Sequence, residues 1–521
     1  MGASTRTGET DPASPSPATV SVPSPAIVDV GPAAVREARQ RLEDFAAERL
    51  EGVHLVVVSN REPYVHTDPT DAKNWITPAS GLTTALDPVM RICRGTWVAH
   101  GSGAGDRATA DDAGRVQVPP DEPRFTLRRV WLTPEEVAGY YDGFSNQTLW
   151  PMCHQVYVRP RFEEEHWQQY VQVNQKFAQA VLSQIEGKRA IVLVQDYHLA
   201  LMPKMIKRER PDVVLSQFWH IPWASPDALG TCPWERPLLK GLLGNDILGF
   251  HVRHYCNNFL ESVALSLETR IDCAESVVVR NGRQTHVRPY PISIDPETMP
   301  PDSGIEIPEI IDLERGGVRF LLGIDRLDYI KGIPEKLRAY DTLLARHPEL
   351  HGKVALVQLA TPTRSNVPEY VALNDTVQNL AQQTNVRHGT LHWQPVLLID
   401  RMLDAHELAA LYARAAACVV GSLQDGMNLV AKEFVAARRD HRGVLVLSRF
   451  AGAQHAMGGA LQIQPYDREA YAATLHAALL MTPQEQESRM RRLRATLFEN
   501  TIYTWAENIL REAVQIQRDR S

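Results

Sequence analysis

"VRFLLGIDRLDYIKGIPEKLRAY", residues 318–340, reads as a strand, a polar turn and a helix in immediate succession. The run 318–324 is apolar and rich in β-formers, and Pro334 falls where a first helical turn has no intrahelical N–H to lose. Between them stand Arg326, at the strand's end, and Lys331, in the turn. A strand feeding a helix this directly predicts parallel strands joined by crossover helices.

The same alternation recurs from residue 53 onward. Apolar runs at 54–59, 190–195, 213–219, 247–250, 318–324, 354–360, 417–422, 443–448 and 460–465 read as strands covered on both faces, because they are continuous rather than alternating. The fold class is therefore α/β with doubly wound sheets. At 521 residues and 44% hydrophobic content the chain is long enough for two cores. Domains are expected at 52–300 and 301–485.

Composition narrows the function classes. A net charge of −7, spread along the chain, argues against nucleic acid as a partner. The six cysteines form no C-x-x-C pair, as expected of reduced thiols in a cytoplasmic protein. No apolar run reaches the length of a membrane span, and no signal-peptide core is present. Residues 1–30, rich in Pro, Ser, Ala and Thr without an aromatic residue, are expected to be a disordered tail. An amphipathic helix is expected at about 32–50, completing the segment 1–51.

Ligands of open parallel sheets bind beyond the carboxyl ends of the strands. There the sequence places Asp196 and His198, then His220, then Arg326 and Lys331, then Arg364, and then "LQDGMNLV" at 423–430. Arg326 and Lys331 could grip a diphosphate, one as a fork and one as a point charge. Gly426 allows close backbone approach at a helix start. Asp425 could cap that helix or face an outside ligand, and local chemistry leaves both open. No G-x-G-x-x-G or P-loop motif stands in a suitable context, which argues against a nicotinamide enzyme or a P-loop NTPase.

"DRLDYIKGIPEKLRAY", "DGMNLVAKEFVAA", "VLVLSRFAGA", "QDYHL", "YYDGFSNQTLWP" and "HIPW", in this order-specific set, resemble the retaining trehalose-6-phosphate synthase family of GT-B glycosyltransferases over about 53–510. The resemblance implies two Rossmann-like domains facing across a cleft, with helices of 486–521 crossing back to the first. It implies transfer of glucose from a nucleotide-glucose, UDP-glucose foremost, to glucose 6-phosphate. The configuration is retained, with no metal and no cofactor. A homo-oligomer is compatible with it.

Residue roles follow from the resemblance. Arg326 and Lys331 would stabilise the leaving diphosphate. Gly81, Gly426, Met427, Asn428, Leu429 and Val430 would hold the donor, and Glu433, one turn beyond Leu429, would accept the ribose hydroxyls. His220 and Asp425 would meet the donor sugar, and Asp196 the acceptor hydroxyls. Arg61, Tyr141, Trp150 and Arg364 would form the acceptor-phosphate cluster, Trp150 offering a flat face to the sugar ring. The first loop departs from the family pattern, His100 standing where many members carry a second Trp. Its "REPY" is similar to glucosylglycerol-phosphate synthases, so another phosphorylated acceptor is the alternative. A non-catalytic sugar-phosphate sensor is the lesser one, disfavoured because Asp196, His220, Arg326, Lys331, Asp425 and Glu433 are all present.

Overall fold

A computed structural model describes residues 31–78, 81–364 and 367–520; the tail expected at 1–30 lies outside the described residues. Its first sheet runs, edge to edge, through Arg270–Asp272, Val277–Arg280, Arg283–Pro289, Ile247–Phe250, Val214–Phe218, Ala190–Gln195, His54–Arg61, Thr96–His100, Phe125–Val130 and Arg115–Val118. The stretch from Arg283–Pro289 to Phe125–Val130 is parallel throughout, and antiparallel strands close both edges. The second sheet is wholly parallel, in the order Val396–Ile399, Val354–Thr361, Arg319–Arg326, Ala417–Val420, Val444–Ser448, Leu461–Ile463.

Both faces of these strands are buried, as their continuous apolar character demands. Leu55 and Val57 join one apolar cluster while Val56 and Val58, pointing the other way, join a second. The helix Ile333–Arg346 carries Pro334 in its first turn, as the sequence predicts.

Each sheet is entered near its centre. His54–Arg61 lies between Thr96–His100 and Ala190–Gln195, and later strands are added outward on both sides. Arg319–Arg326 likewise lies between Val354–Thr361 and Ala417–Val420. Connections leaving in opposite directions open a crevice at such a point, and there α/β sheets bind ligands.

Thr96–His100, Phe125–Val130 and Val396–Ile399 extend the sheets beyond the strands expected from sequence, as do the edge strands between 270 and 289. At the carboxyl terminus, the expected boundary at 485 falls inside the single helix Pro483–Glu499. That helix stays on the second sheet's side, where Arg494 donates to the carbonyls of Val435 and Ala436, both at 3.0 Å. The return is made by Ile502–Asp519. Its Trp505 meets Phe218 edge-on at 5.1 Å and donates to the Tyr290 carbonyl at 3.2 Å.

Candidate functional site

One cavity of about 450 Å³ lies between the carboxyl ends of the two sheets, and every residue given a role above lines it. Arg61, Gly81, Tyr141, Trp150, Asp196 and His220 come from the first sheet's side, and Arg326, Lys331, Arg364, Asp425, Gly426 to Val430 and Glu433 from the second.

At one end the charge is positive. Residues 137–149 wind with i→i+5 hydrogen bonds, the Trp150 N–H reaching the Ser145 carbonyl, and this wide turn carries Tyr141 and Trp150 to the cavity. Arg61 Nη2 donates to the Tyr141 hydroxyl at 3.3 Å. Burial alone would raise the Tyr141 phenol, but Arg61, Arg364 and Arg326 outweigh it and bring the group below its ordinary range. Arg364 is fixed by Asp328 at 3.2 Å and by the Tyr370 hydroxyl. Its guanidinium lies 4.4 Å from the centre of the Trp150 ring, with Arg326 at 5.8 Å. Trp150 therefore seats two guanidiniums in this structure, where the resemblance implied a face for the sugar ring.

In the middle, the strands Ala190–Gln195 and Val214–Phe218 are neighbours, which brings Asp196 and His220 together. Asp196 has the unusual backbone angle φ 71° and accepts from the N–H groups of Tyr197 at 2.9 Å and His220 at 3.2 Å. Burial pushes its carboxyl up to about 7, against these N–H groups and the nearby Arg326 and Arg364. His220 Nε2 meets Gln195 Oε1 at 2.9 Å, so Nε2 carries the proton and Nδ1 is the acceptor. Burial holds the His220 imidazole well below its usual range, hence neutral. His198 stacks on Tyr197 at 4.1 Å and Tyr141 at 5.6 Å, and burial lowers it to about 3.

The far end is built on the turn after Ala417–Val420. Asn428, at φ 77°, is the cap of the helix Leu429–Ala437, its side chain accepting the Ala431 N–H at 3.1 Å. Asp425 is thereby released from capping. Its Oδ2 instead takes Lys331 Nζ at 2.6 Å and Asn428 Nδ2 at 3.1 Å. Burial opposes ionisation here, yet Lys331 and Asn428 prevail and hold the Asp425 carboxyl at about 2. A Cβ on Gly426 would stand 2.3 Å from the His220 carbonyl oxygen, so glycine is what lets the two walls touch. Glu433 accepts the Tyr412 hydroxyl at 2.8 Å, and burial raises its carboxyl.

Sequence reasoning passed over several lining residues. His251 donates from Nε2 to the His220 carbonyl at 2.9 Å. Ile324, Leu359, Met402, Leu403 and Leu408 add apolar surface to the cavity that Val430 and Glu433 also line. A polar motif marks none of these positions. The one available signal was the apolar run at 396–399, which sets the loop bearing Met402 and Leu403 at a strand's carboxyl end.

Comparison with known proteins gives the same answer. The profile described as glycosyltransferase family 20 matches residues 53–515. The trehalose-6-phosphate synthase of Mycobacterium avium (strain 104) is 38% identical over 477 residues, covering 88% of this chain and 94% of its own. The E. coli structure described as trehalose-6-phosphate bound with UDP-2-fluoro glucose aligns with a TM-score of 0.80 at 30% identity, covering 89% of this chain and 99% of its own. The UDP-forming α,α-trehalose-phosphate synthase of Burkholderia xenovorans in complex with glucose-6-phosphate aligns at 0.79 and 28% identity, covering 88% and 99%. The chain belongs to glycosyltransferase family 20 and is a GT-B glycosyltransferase of the trehalose-6-phosphate synthase kind.

Proposed function

We propose that the chain transfers glucose from UDP-glucose to glucose 6-phosphate, giving α,α-trehalose 6-phosphate and UDP. The observation that carries this reading is the charge layout of the cavity between the two sheets. Arg61 and Arg364 gather around Tyr141 and Trp150 at one end, Arg326 reaches the same Trp150 ring, and Lys331 stands at the other end beside Asp425, with Asp196 and the neutral His220 between. Two phosphate-bearing substrates meeting through uncharged sugars fit that pattern. The solved relatives support it, one bound with UDP-2-fluoro glucose and one in complex with glucose-6-phosphate.

In this mechanism the bond from the anomeric carbon to the diphosphate breaks, and the acceptor hydroxyl bonds to that carbon on the same face. Its proton passes to the leaving phosphate oxygen, so no separate nucleophile is required. Arg326 and Lys331 stabilise the charge left on the diphosphate, and no metal or cofactor takes part. Asp196 orients the acceptor hydroxyls. His220 Nδ1 accepts from a donor-sugar hydroxyl, and ionised Asp425 favours positive character at the anomeric carbon. Glu433 holds the ribose, and the cavity's apolar surface suits a base. Two lobes, 52–300 and 301–485, close over the pair to exclude water, with the last helices returning to the first lobe. The site of action is the cytoplasm; no helix among the described residues is long and apolar enough to cross a membrane.

Nucleotide release from UDP-, GDP- and ADP-glucose, each crossed with glucose 6-phosphate and glycerol 3-phosphate, tests the reading. UDP release with glucose 6-phosphate is expected. Turnover confined to glycerol 3-phosphate overturns it.

A further inference from the structure

Two imidazoles and a carboxylate meet on the helices of the second sheet, away from the cavity, which none of the three lines. His347 ends the helix Ile333–Arg346, its N–H still reaching the Leu343 carbonyl at 3.0 Å. Glu349 follows in the short turn Pro348–Leu350, and His476 comes from the helix Arg468–Leu480, which packs along the first. The two rings stack with centres 3.6 Å apart and planes 23° from parallel, and His347 Nδ1 stands 3.0 Å from Glu349 Oε1. One ligand atom from each of the three side chains lies within 4.8 Å of the other two. Burial and the neighbouring His347 lower the His476 imidazole, while Glu349's own N–H and His347 lower its carboxyl. The adjacent cation, Arg346, is engaged by Glu469 at 2.5 Å, and the negative end of a helix dipole lies at His347.

Two imidazoles and a carboxylate are a ligand set of zinc-class ions, with the fourth tetrahedral position left to water. Ligand atoms of such an ion stand about 3.3 Å apart, given bonds of about 2.0–2.1 Å. The 3.0 Å between His347 Nδ1 and Glu349 Oε1 is thus nearly the span an ion needs. The His476 ring closes the remainder by turning about its broad terminal torsion, which also fans it off its partner. Side-chain exposures of 28% for His347 and 60% for Glu349 leave an open path from solvent. We propose that His347, Glu349 and His476 bind one Zn²⁺-class ion, which replaces the proton shared between His347 and Glu349 and ties the end of one helix to the flank of the other. That proton goes to solvent. The ion needs both helices folded together, so it stabilises the second sheet's helical layer. This inference rests on the three side chains and not on the transferase reading.

The test is competition for Zn²⁺ between the metal-stripped full chain and a chromophoric chelator, with thermal unfolding as a second readout. One saturable ion per chain is expected, and saturating Zn²⁺ should raise the Tm. Mg²⁺, which prefers an all-oxygen shell, should do neither. His347→Ala, Glu349→Gln and His476→Ala should each weaken Zn²⁺ binding at least about tenfold and remove the zinc-dependent rise in Tm. None of the three positions is fully buried, so the metal-free variants should melt close to the metal-free wild type. No saturable Zn²⁺ binding by the wild type, or wild-type affinity in any of the three variants, overturns the site. Binding that all three variants lose, with no effect of Zn²⁺ on the wild-type Tm, overturns the tie between the helices.

Discussion

Lys331 Nζ stands 2.6 Å from Asp425 Oδ2, joining the turn after Arg319–Arg326 to the turn after Ala417–Val420. These are the two strand ends flanking the second sheet's crevice, so the ion pair ties the crevice shut at its base. It also makes the two residues interdependent. Each side chain is largely buried, at 14% and 12% exposure, and removal of either strands the other's charge.

Lys331→Ala is therefore expected to cost about 3–5 kcal/mol of stability as well as activity, the price of leaving Asp425 buried without its counter-ion. Asp425→Asn should destabilise less and lower kcat/KM at least about a hundredfold, since a charge near the anomeric carbon is worth most in a dry site. Denaturant unfolding and initial rates under subsaturating donor separate the two. Near wild-type rates for Asp425→Asn would remove it from the mechanism.

Asp196 gives the pH dependence. Its folded carboxyl titrates at about 7, above an ordinary acid, so the folded state holds a proton that the unfolded state has lost. Stability from this group is present below about pH 4 and is lost as pH rises through about 7. Asp196→Asn should flatten that decline, measured as Tm against pH. In the wild type, kcat/KM should rise with pH through an apparent pKa near 7, and the limb should be missing from the variant's residual activity.

The close seating of Arg364, of the acceptor cluster, on Trp150 predicts an acceptor-specific effect, Arg326 standing farther off. Trp150→Ala should raise the KM for glucose 6-phosphate about tenfold, and Trp150→Phe about threefold, in line with graded cation–π strength. The KM for UDP-glucose should be nearly unchanged. Equal changes in both constants would place Trp150 in general packing instead.

The central parallel strands were legible because burial on both faces leaves continuous apolar runs such as 190–195 and 354–360. Thr96–His100 was not, because its "TWVAH" is short and mixed; of the hairpin strands, Val277–Arg280 is only four residues long and Arg283–Pro289 is mostly polar, with Thr285 and Val287 alone buried. The site residues were visible at strand ends and through family motifs. Their partners were hidden, since a sequence does not show that Asn428 takes the capping role and frees Asp425, or that Arg364 covers Trp150. His251 and the loop bearing Met402 were missed for the same reason, their importance arising only from what folds against them.

The helix Ile502–Asp519 completes a lobe whose other strands all precede residue 290. During synthesis the first sheet must therefore wait, with Phe218 lacking its Trp505 cover, while more than two hundred further residues leave the ribosome. The second sheet, whose strands end at Ile463, can close before the first is sealed. The lobe begun first is thus sealed only after the second lobe's strands have all emerged.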